Sequence, residues 1–488
     1  MKLLDELKTH PHATLHDTGE WIRHKFCPAI PGHQKLRRIV VGWVSETDLK
    51  LIADKYGTFS ITTDRGLFEY QEPGEPKVLI SFPINAAGKT NPYLPIEEDL
   101  KAQLVTANAF ALNIKTQQIV DPLNGFQDLK QSLINVVDES QLKNNPISFL
   151  KILWFAAESS FKFSASAKNT LLRQNHYIKA ILNEDIGTLL RQVLRGVNPK
   201  HFFDLADQFG VLEHIMPRLA EASKIAQTKK NGVANVRDHV LLSLQAANPH
   251  NEAVCWAALY HDLGKITTRK VINKKVRFFG HEKVSAQWAY KDLIDWGFNR
   301  DFAKEVAHLT LYHMFDGGPQ LSDDGVRRLI RRVGKQHIFN LLELREADSA
   351  GFIGKPTGLW KVQKLKRRVV EELNKNPFSH VGLDISLEQV AKEINAEHDK
   401  EAELVLDFLL DMVLFHQLPN QEKDLINWLQ NINFGKVKNF CPLGLQWLLE
   451  QQISKLEGRP EDNTDGTLKC GKYCQFKCDN QEQNLWKY

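Results

Sequence analysis

The sequence predicts an α+β fold, with an α/β head followed by a mostly α-helical remainder. Three observations predict it. Short β-branched runs gather before residue 135, among them Arg38-Ile39-Val40-Val41-Gly42 and Val78-Leu79-Ile80-Ser81-Phe82. From about residue 146, apolar residues recur at helical spacing, beginning with Phe149, Leu150, Leu153 and Phe155-Ala156-Ala157. The chain has 488 residues, too many for one compact core, so several domains are expected.

The elements follow in order. Ile119-Val120 reads as a strand running into the turn Asp121-Pro122-Leu123-Asn124-Gly125. Val193-Leu194 ends a helix before Gly196, with Pro199 just beyond. Further helices are expected at 237–247, 252–263, 301–315, 323–333, 336–350, 360–374, 386–396 and 401–416. From about residue 457 the chain turns polar and rich in Gly, Asn and Asp.

Composition excludes whole classes. With 42% hydrophobic and 25% charged residues, the chain is not disordered, collagenous or a disulfide scaffold. The balance of 63 Lys and Arg against 59 Asp and Glu neither requires nor forbids nucleic acid. No window offers the ~18 uncharged apolar residues of a membrane span. The opening MKLLDELKTHPHATLHD carries acids and histidines where a secretory leader needs an apolar stretch. A cytoplasmic location is therefore expected, and six cysteines in so long a chain suit a reducing compartment.

The densest chemistry lies between residues 239 and 348. Trp256-Ala257-Ala258-Leu259-Tyr260 reads as an apolar helix ending in His261-Asp262-Leu263-Gly264-Lys265. Gly264 suits the left-handed position that closes a helix, which would put His261 and Asp262 in its last turn. Upstream, His239 stands on another helix. Downstream come Gly280-His281-Glu282, His308, His313 and Ala347-Asp348. Two His and two Asp from different helices make a mixed nitrogen and oxygen set. Such a set suits Mn, Fe, Co, Ni or Zn, whereas Mg alone would prefer oxygen.

His239, His261-Asp262 and Asp348, with Gly264-Lys265, resemble the motif of the HD-domain metal-dependent phosphohydrolase superfamily. The resemblance implies that His239, His261, Asp262 and Asp348 are ligands of a divalent metal (Mn, Ni, Co, Fe, Zn or Mg). His281 and His313 match positions that touch a second metal or the substrate phosphate in some members, so with Lys265 they are the candidate catalytic residues.

The flanking sequence is similar to the CCA-adding tRNA nucleotidyltransferases and bacterial poly(A) polymerases, many of which carry a fused HD domain. Ile119 to Leu129 and Asn145 to Ala157 carry this likeness, which extends over about 15–430. The head departs from the family at its chemistry. The paired acids that hold two metals against a triphosphate are replaced by Lys35 and Arg37. The Gly-Gly loop reads Gly19-Glu20-Trp21-Ile22-Arg23-His24. The Arg-Arg-Asp element reads Ala102-Gln103-Leu104, and the base-reading Glu-Asp-any-any-Arg reads Asn144-Asn145-Pro146-Ile147-Ser148. Asn and Ser cannot offer a guanidinium and carboxylate to a Watson–Crick edge. The head is thus expected to keep its fold and to have lost nucleotidyl transfer.

Leu383 to Leu387 and Glu401 to Leu429 are similar to the helical tail that grips tRNA in active members, with Asn395-Ala396-Glu397-His398-Asp399 in place of a Gly-rich turn. Basic clusters stand at Lys229-Lys230, Lys274-Lys275, Arg327-Arg328, Arg331-Arg332 and Lys364 to Arg368, readable as phosphate-binding or merely solvated faces. Cys470, Cys474 and Cys478 repeat every fourth residue, with Cys441 a further candidate ligand, in no common zinc-finger spacing.

The expected organisation is a degenerate nucleotidyltransferase-like head at 1–135, a helical neck at 136–230, an HD domain at 231–355, a helical arm at 356–456 and a polar tail at 457–488. The expected activity is metal-dependent hydrolysis of phosphate esters on nucleotides or tRNA-like RNA ends, a 2′,3′-cyclic phosphate among them, with no membrane partner. Two rivals stay open: a non-catalytic RNA-binding protein, and a head that still adds nucleotides.

Overall fold

The computed structural model describes residues 1–26, 37–63, 67–226, 234–315, 321–351, 359–396 and 399–431. Lys35, Lys229-Lys230, Cys441, Cys470, Cys474, Cys478 and the polar tail lie outside the described residues. The chain divides into two compact units: 1–226 with 295–297, and 227–294 with 298–488.

The first unit opens on the head. Its sheet comprises β1 (Thr14–Thr18), β2 (Arg37–Gly42), β3 (Thr58–Thr63), β4 (Leu67–Gln71), β5 (Val78–Ser81), β6 (Ala111–Asn113) and β7 (Ile119–Val120), in the order β3-β4-β5-β2-β1-β6-β7. Only β2 and β5 run parallel; the other pairs are antiparallel. β2 is central, so Ile39, Val40 and Val41 are all buried, as expected of a strand covered on both faces. Leu3, Leu4 and Leu7 of the helix Lys2–Thr9 join one core with Leu15, Ile39, Val41, Phe68 and Ile80.

Beyond the head, this unit is helical. The helix Ile147–Ser159 buries Phe149, Leu150, Ile152 and Leu153, and the Phe149 ring meets Phe209 edge-on. The helix Asn183–Leu194 stops where Val193-Leu194 and Gly196 predict.

The second unit is built around one apolar helix, Glu252–Tyr260, buried on every side from Ala253 onward. Only a helix central to a core is apolar all round. Three helices pack against it: Val236–Ala246, Arg300–Tyr312 and Ile338–Ala350. Asn235, Asn251 and Asn299 cap three of these four helices, each accepting a backbone N–H three residues on.

The helical expectation beyond residue 146 needs two corrections, of which the first is that Lys162–Phe163 pairs as a short parallel strand with Leu133–Ile134. The second is that Lys270–Ile272 and Lys275–Arg277 form an antiparallel hairpin between the two halves of the histidine motif. The run is too short and too basic to show a strand period.

The arm packs Leu387–Ile394, Asp399–Leu414 and Glu422–Gln430 around Val390, Val405, Leu409 and Leu425. Asn395 closes the first of these with φ +52°, a conformation Asn tolerates in place of Gly. Two of the four arginines of the helix Asp323–Val333 are taken up by internal pairing. Arg327 is buried against Glu372 at 2.9 Å, and Arg331 reaches Asp407 at 2.9 Å and Asp411 at 2.8 Å.

Candidate metal centre

Five helices of the second unit bring the motif together. His239 lies midway along Val236–Ala246. His261 is the C-cap of the central helix, and Asp262 stands in the turn just beyond, so neither occupies the last helical turn. His281 begins the helix His281–Asp295, and His313 is the C-cap of Arg300–Tyr312. Asp348 lies near the end of Ile338–Ala350.

Gly264 corrects the expectation made for it. Its φ is −59°, right-handed rather than left-handed. A Cβ there would stand 2.2 Å from the His281 carbonyl oxygen and 2.9 Å from Ser285 N. Gly264 is needed for close approach, and its N–H donates to Ser285 Oγ at 2.8 Å. That contact docks the His261 turn on the His281 helix.

The six His and Asp side chains are all buried. His239 Nε2 lies 3.0 Å from Asp348 Oδ1 and 3.2 Å from His261 Nε2. His261 Nε2 is 3.6 Å from both Asp348 Oδ1 and Asp262 Oδ2. On the other carboxylate oxygen, Asp262 Oδ1 is 3.2 Å from His281 Nε2 and 3.7 Å from His313 Nε2. The site is therefore two ligand groups, His239-His261-Asp262 and Asp262-His281-His313, that share Asp262.

Every imidazole is oriented through its other nitrogen. His261 Nδ1 meets the Ala258 carbonyl at 2.8 Å, His281 Nδ1 that of Phe278 at 2.7 Å, and His313 Nδ1 that of Thr310 at 2.7 Å. His239 Nδ1 lies 3.3 Å from the Gly351 carbonyl. A carbonyl accepts only, so each Nδ1 carries the proton and each Nε2 is left to act as a ligand atom.

The carboxylates are steadied by cations. Lys265 pairs with Asp262 Oδ2, and Arg345 holds Asp348 Oδ2 at 2.7 Å, leaving Oδ1 toward the histidines. Burial pushes the Asp262 carboxyl up, but the charges of His261 and Lys265 reverse this and hold it well below the ordinary range. Burial is likewise outweighed at Asp348 by the His239 and His261 side chains. Burial disfavours charge on His261 too, yet Asp262 and Asp348 outweigh it and raise its pKa. Burial lowers that of His313.

These residues fit a divalent cation. Four Nε2 atoms converge on two anionic carboxylates. Those of His281 and His313 are buried with no hydrogen-bond partner among the described residues. In His281 the 3.2 Å approach to Asp262 lacks hydrogen-bond geometry. An unpaired buried nitrogen is costly unless something else binds it. The mixed donor set suits a first-row metal.

His308 does not join the centre. Its Nε2 donates to the Val333 carbonyl at 2.7 Å, and its ring packs on His337. Arg345 was missed by sequence reasoning, although its i, i+3 spacing to Asp348 on one helix was visible.

In the head, Arg37 grips Asp17 with both ends of its guanidinium, Nε to Oδ1 at 2.6 Å and Nη2 to Oδ2 at 2.8 Å. The Trp21 ring lies under the same guanidinium, 4.7 Å from its centre. Arg38 is held by Asp99 at 3.0 Å and by Ser81 Oγ at 3.1 Å.

Comparison with known proteins agrees with this division. Residues 34–135 match the poly A polymerase head domain, and 222–349 match the HD domain. The A-adding tRNA nucleotidyltransferase of Deinococcus radiodurans is 26% identical over 296 residues, 58% of this chain and 67% of that protein. A multifunctional CCA protein of Herminiimonas arsenicoxydans is 30% identical over 205 residues, 41% of this chain and 48% of its own length. The fold is that of the Bacillus stearothermophilus CCA-adding enzyme solved with CTP, at TM-score 0.65 and 15% identity, covering 94% of this chain and 98% of that one. The pairing of a poly A polymerase head with an HD domain fits the CCA-adding tRNA nucleotidyltransferase and poly(A) polymerase family in its HD-fused form.

Proposed function

We propose that this chain hydrolyses phosphate esters of nucleotides or RNA ends at the HD centre, and that its head has lost nucleotidyl transfer. One observation carries the reading: two buried His/Asp groups share Asp262, and in one of them the Nε2 atoms of His281 and His313 have no hydrogen-bond partner among the described residues. His239, His261, Asp262 and Asp348 are the residues that would hold a divalent ion. Bound there, such an ion would acidify a water and draw charge from the phosphoryl oxygens.

The chain's own residues do the rest. Asp262 and Asp348 stay ionised to low pH and keep the centre anionic. Arg345 fixes Asp348, and Lys265 is bound to Asp262. Lys265 therefore orients a ligand rather than standing free for a phosphate oxygen. His281 and His313 offer Nε2 on the far side of Asp262 to bind a phosphate or to move a proton to the leaving oxygen. The relatives are named for tRNA, which supports an RNA end as one substrate class.

The head supports the second half of the proposal. Where the family needs paired acids, Arg37 occupies both oxygens of a carboxylate. The names of the relatives favour the opposite reading, a head that still adds nucleotides. Two assays with purified protein separate them. Release of phosphate, or opening of 2′,3′-cyclic nucleotides, is expected with Mn, Ni, Co or Mg and lost on chelation. No CMP or AMP incorporation is expected on tRNA lacking its 3′ end. Hydrolysis that survives chelation overturns the first half, and template-free CTP addition overturns the second. Inactivity in both assays favours a non-catalytic RNA-binding role.

A further inference from the structure

The segment between the two halves of the histidine motif has an unusual charge. From Leu263 to His281 there is no acidic residue, and there are six cations: Lys265, Arg269, Lys270, Lys274, Lys275 and Arg277. Lys265 is taken by Asp262. The other five make no ion pair among the described residues.

This segment is the hairpin Lys270–Ile272 with Lys275–Arg277, and all six strand residues are exposed. The register sets Lys270 opposite Arg277 and Ile272 opposite Lys275. Successive strand residues face opposite ways, so Lys270, Arg277 and Lys275 share one face and Val271 and Val276 the other. Like charges directly across a hairpin destabilise it. An isolated two-stranded ribbon is itself marginal in water.

The turn adds a third cost. Asn273 has φ +49° and Lys274 φ +60°, both left-handed, as in the tight hairpin turn that prefers Asn-Gly. Lys274 holds the place where Gly is favoured, so a cation is kept at the tip against backbone preference. Phe279, 68% exposed, follows the second strand. Both ends of the ribbon are rooted in the centre. Lys265 precedes it, and the Phe278 carbonyl accepts from His281 Nδ1.

We propose that this hairpin is a binding ribbon for single-stranded RNA and leads an RNA end to the HD centre. The strand's phosphates supply the counter-charge that Lys270, Lys274, Lys275 and Arg277 lack. Phe279 supplies a ring on which an unpaired base stacks, which a duplex does not offer. Only the delivery to the centre rests on the phosphohydrolase reading; the binding does not.

The test is fluorescence anisotropy of a labelled single-stranded RNA 12-mer with the full chain, in chelator, across a range of KCl. Single-strand binding weakens with salt by a slope of about 0.7 per phosphate contact. Arg269, Lys270, Lys274, Lys275 and Arg277 replaced together by Ala are expected to lower that slope by about 3 and to weaken binding at least tenfold at low salt. Lys274→Gly relieves the turn and removes one cation. It is expected to keep the hairpin and still lower the slope by about 0.7. Unchanged affinity and slope in the fivefold variant overturn the proposal, as does wild-type binding to anionic vesicles but not to RNA. Hydrolysis of a 2′,3′-cyclic mononucleotide is measured in parallel. Wild-type RNA binding that depends on the hairpin, without any hydrolysis, keeps this proposal and removes the hydrolase reading. Hydrolysis with hairpin-independent RNA binding does the reverse.

Discussion

Asp17, on β1 of the head, and Asp262, just beyond the central helix of the HD centre, are both buried carboxylates, and they differ in what faces them. Asp17 gives both oxygens to the one guanidinium of Arg37. Its charge is neutralised by a cation tethered to the chain, so a metal ion there would have to compete with a bidentate guanidinium. Asp262 gives one oxygen to Lys265 and to the His239–His261 side, and the other to His281 and His313. Imidazoles keep a lone pair, so that carboxylate still has somewhere to share an ion. The difference teaches that a buried carboxylate's freedom to share a cation is decided by the charge of the residues facing it, not by the acid alone.

The sharpest way to break the comparison is Asp262→Ala. It removes the one residue common to both ligand groups. Hydrolysis is expected to fall by about 10³-fold, equivalent to about 4 kcal/mol of barrier. Circular dichroism should be unchanged, since the Asp262 carboxylate adds no apolar surface to the core. Retained turnover would mean that the chemistry lies elsewhere.

The second test sharpens the head side. Burial pushes His16, on β1, down to about 4 from an ordinary value of 6.5. As pH falls, the unfolded chain takes up this proton before the folded head does. Stability is therefore fully present above pH 6.5 and is lost as pH falls from there toward 4. The loss is on the order of 3 kcal/mol. Denaturant unfolding of wild type and His16→Gln at several pH values checks it, and the variant should lack this component.

Much of this was legible in the sequence, for physical reasons that particular residues display. The central helix is apolar throughout, so its identity as core and the site at its end could be read together. β2 announces itself because Ile39, Val40 and Val41 fill both faces. The reading of Gly264 failed because glycine serves two needs, positive φ and close approach, and sequence does not say which. The hairpin was hidden because three-residue strands carry no usable period. Arg327 and Arg331 read as open basic surface because Glu372, Asp407 and Asp411, which hold them, lie 45 to 80 residues away in the chain.

A third prediction concerns support rather than ligation. Arg345→Ala frees Asp348 Oδ2, which the guanidinium holds at 2.7 Å. Loss of such an outer partner costs about 10–100-fold in metal affinity. Isothermal titration with Mn should show the weakening, with Arg345→Lys recovering part of it because a point charge replaces the fork. Equal affinity in all three proteins would make Arg345 a surface residue only.

The smallest expected effect is the most instructive. Arg37→Asp puts an acid back where the family carries one, but it also breaks the bidentate pair and sets two carboxylates against each other at β1 and β2. Asp17 is buried, so its unpaired charge would cost the head about 2–3 kcal/mol. One acid does not rebuild a two-metal centre, because Lys35 and the altered loop at Gly19-Glu20 remain. Nucleotide addition should therefore stay absent, and hydrolysis at the HD centre should change by less than about twofold, since a head substitution leaves every ligand of that centre in place. Gain of CTP incorporation would show that a single ion pair had silenced the head. A fall in hydrolysis to match the loss of head stability would show that the two regions do not act as independent sites.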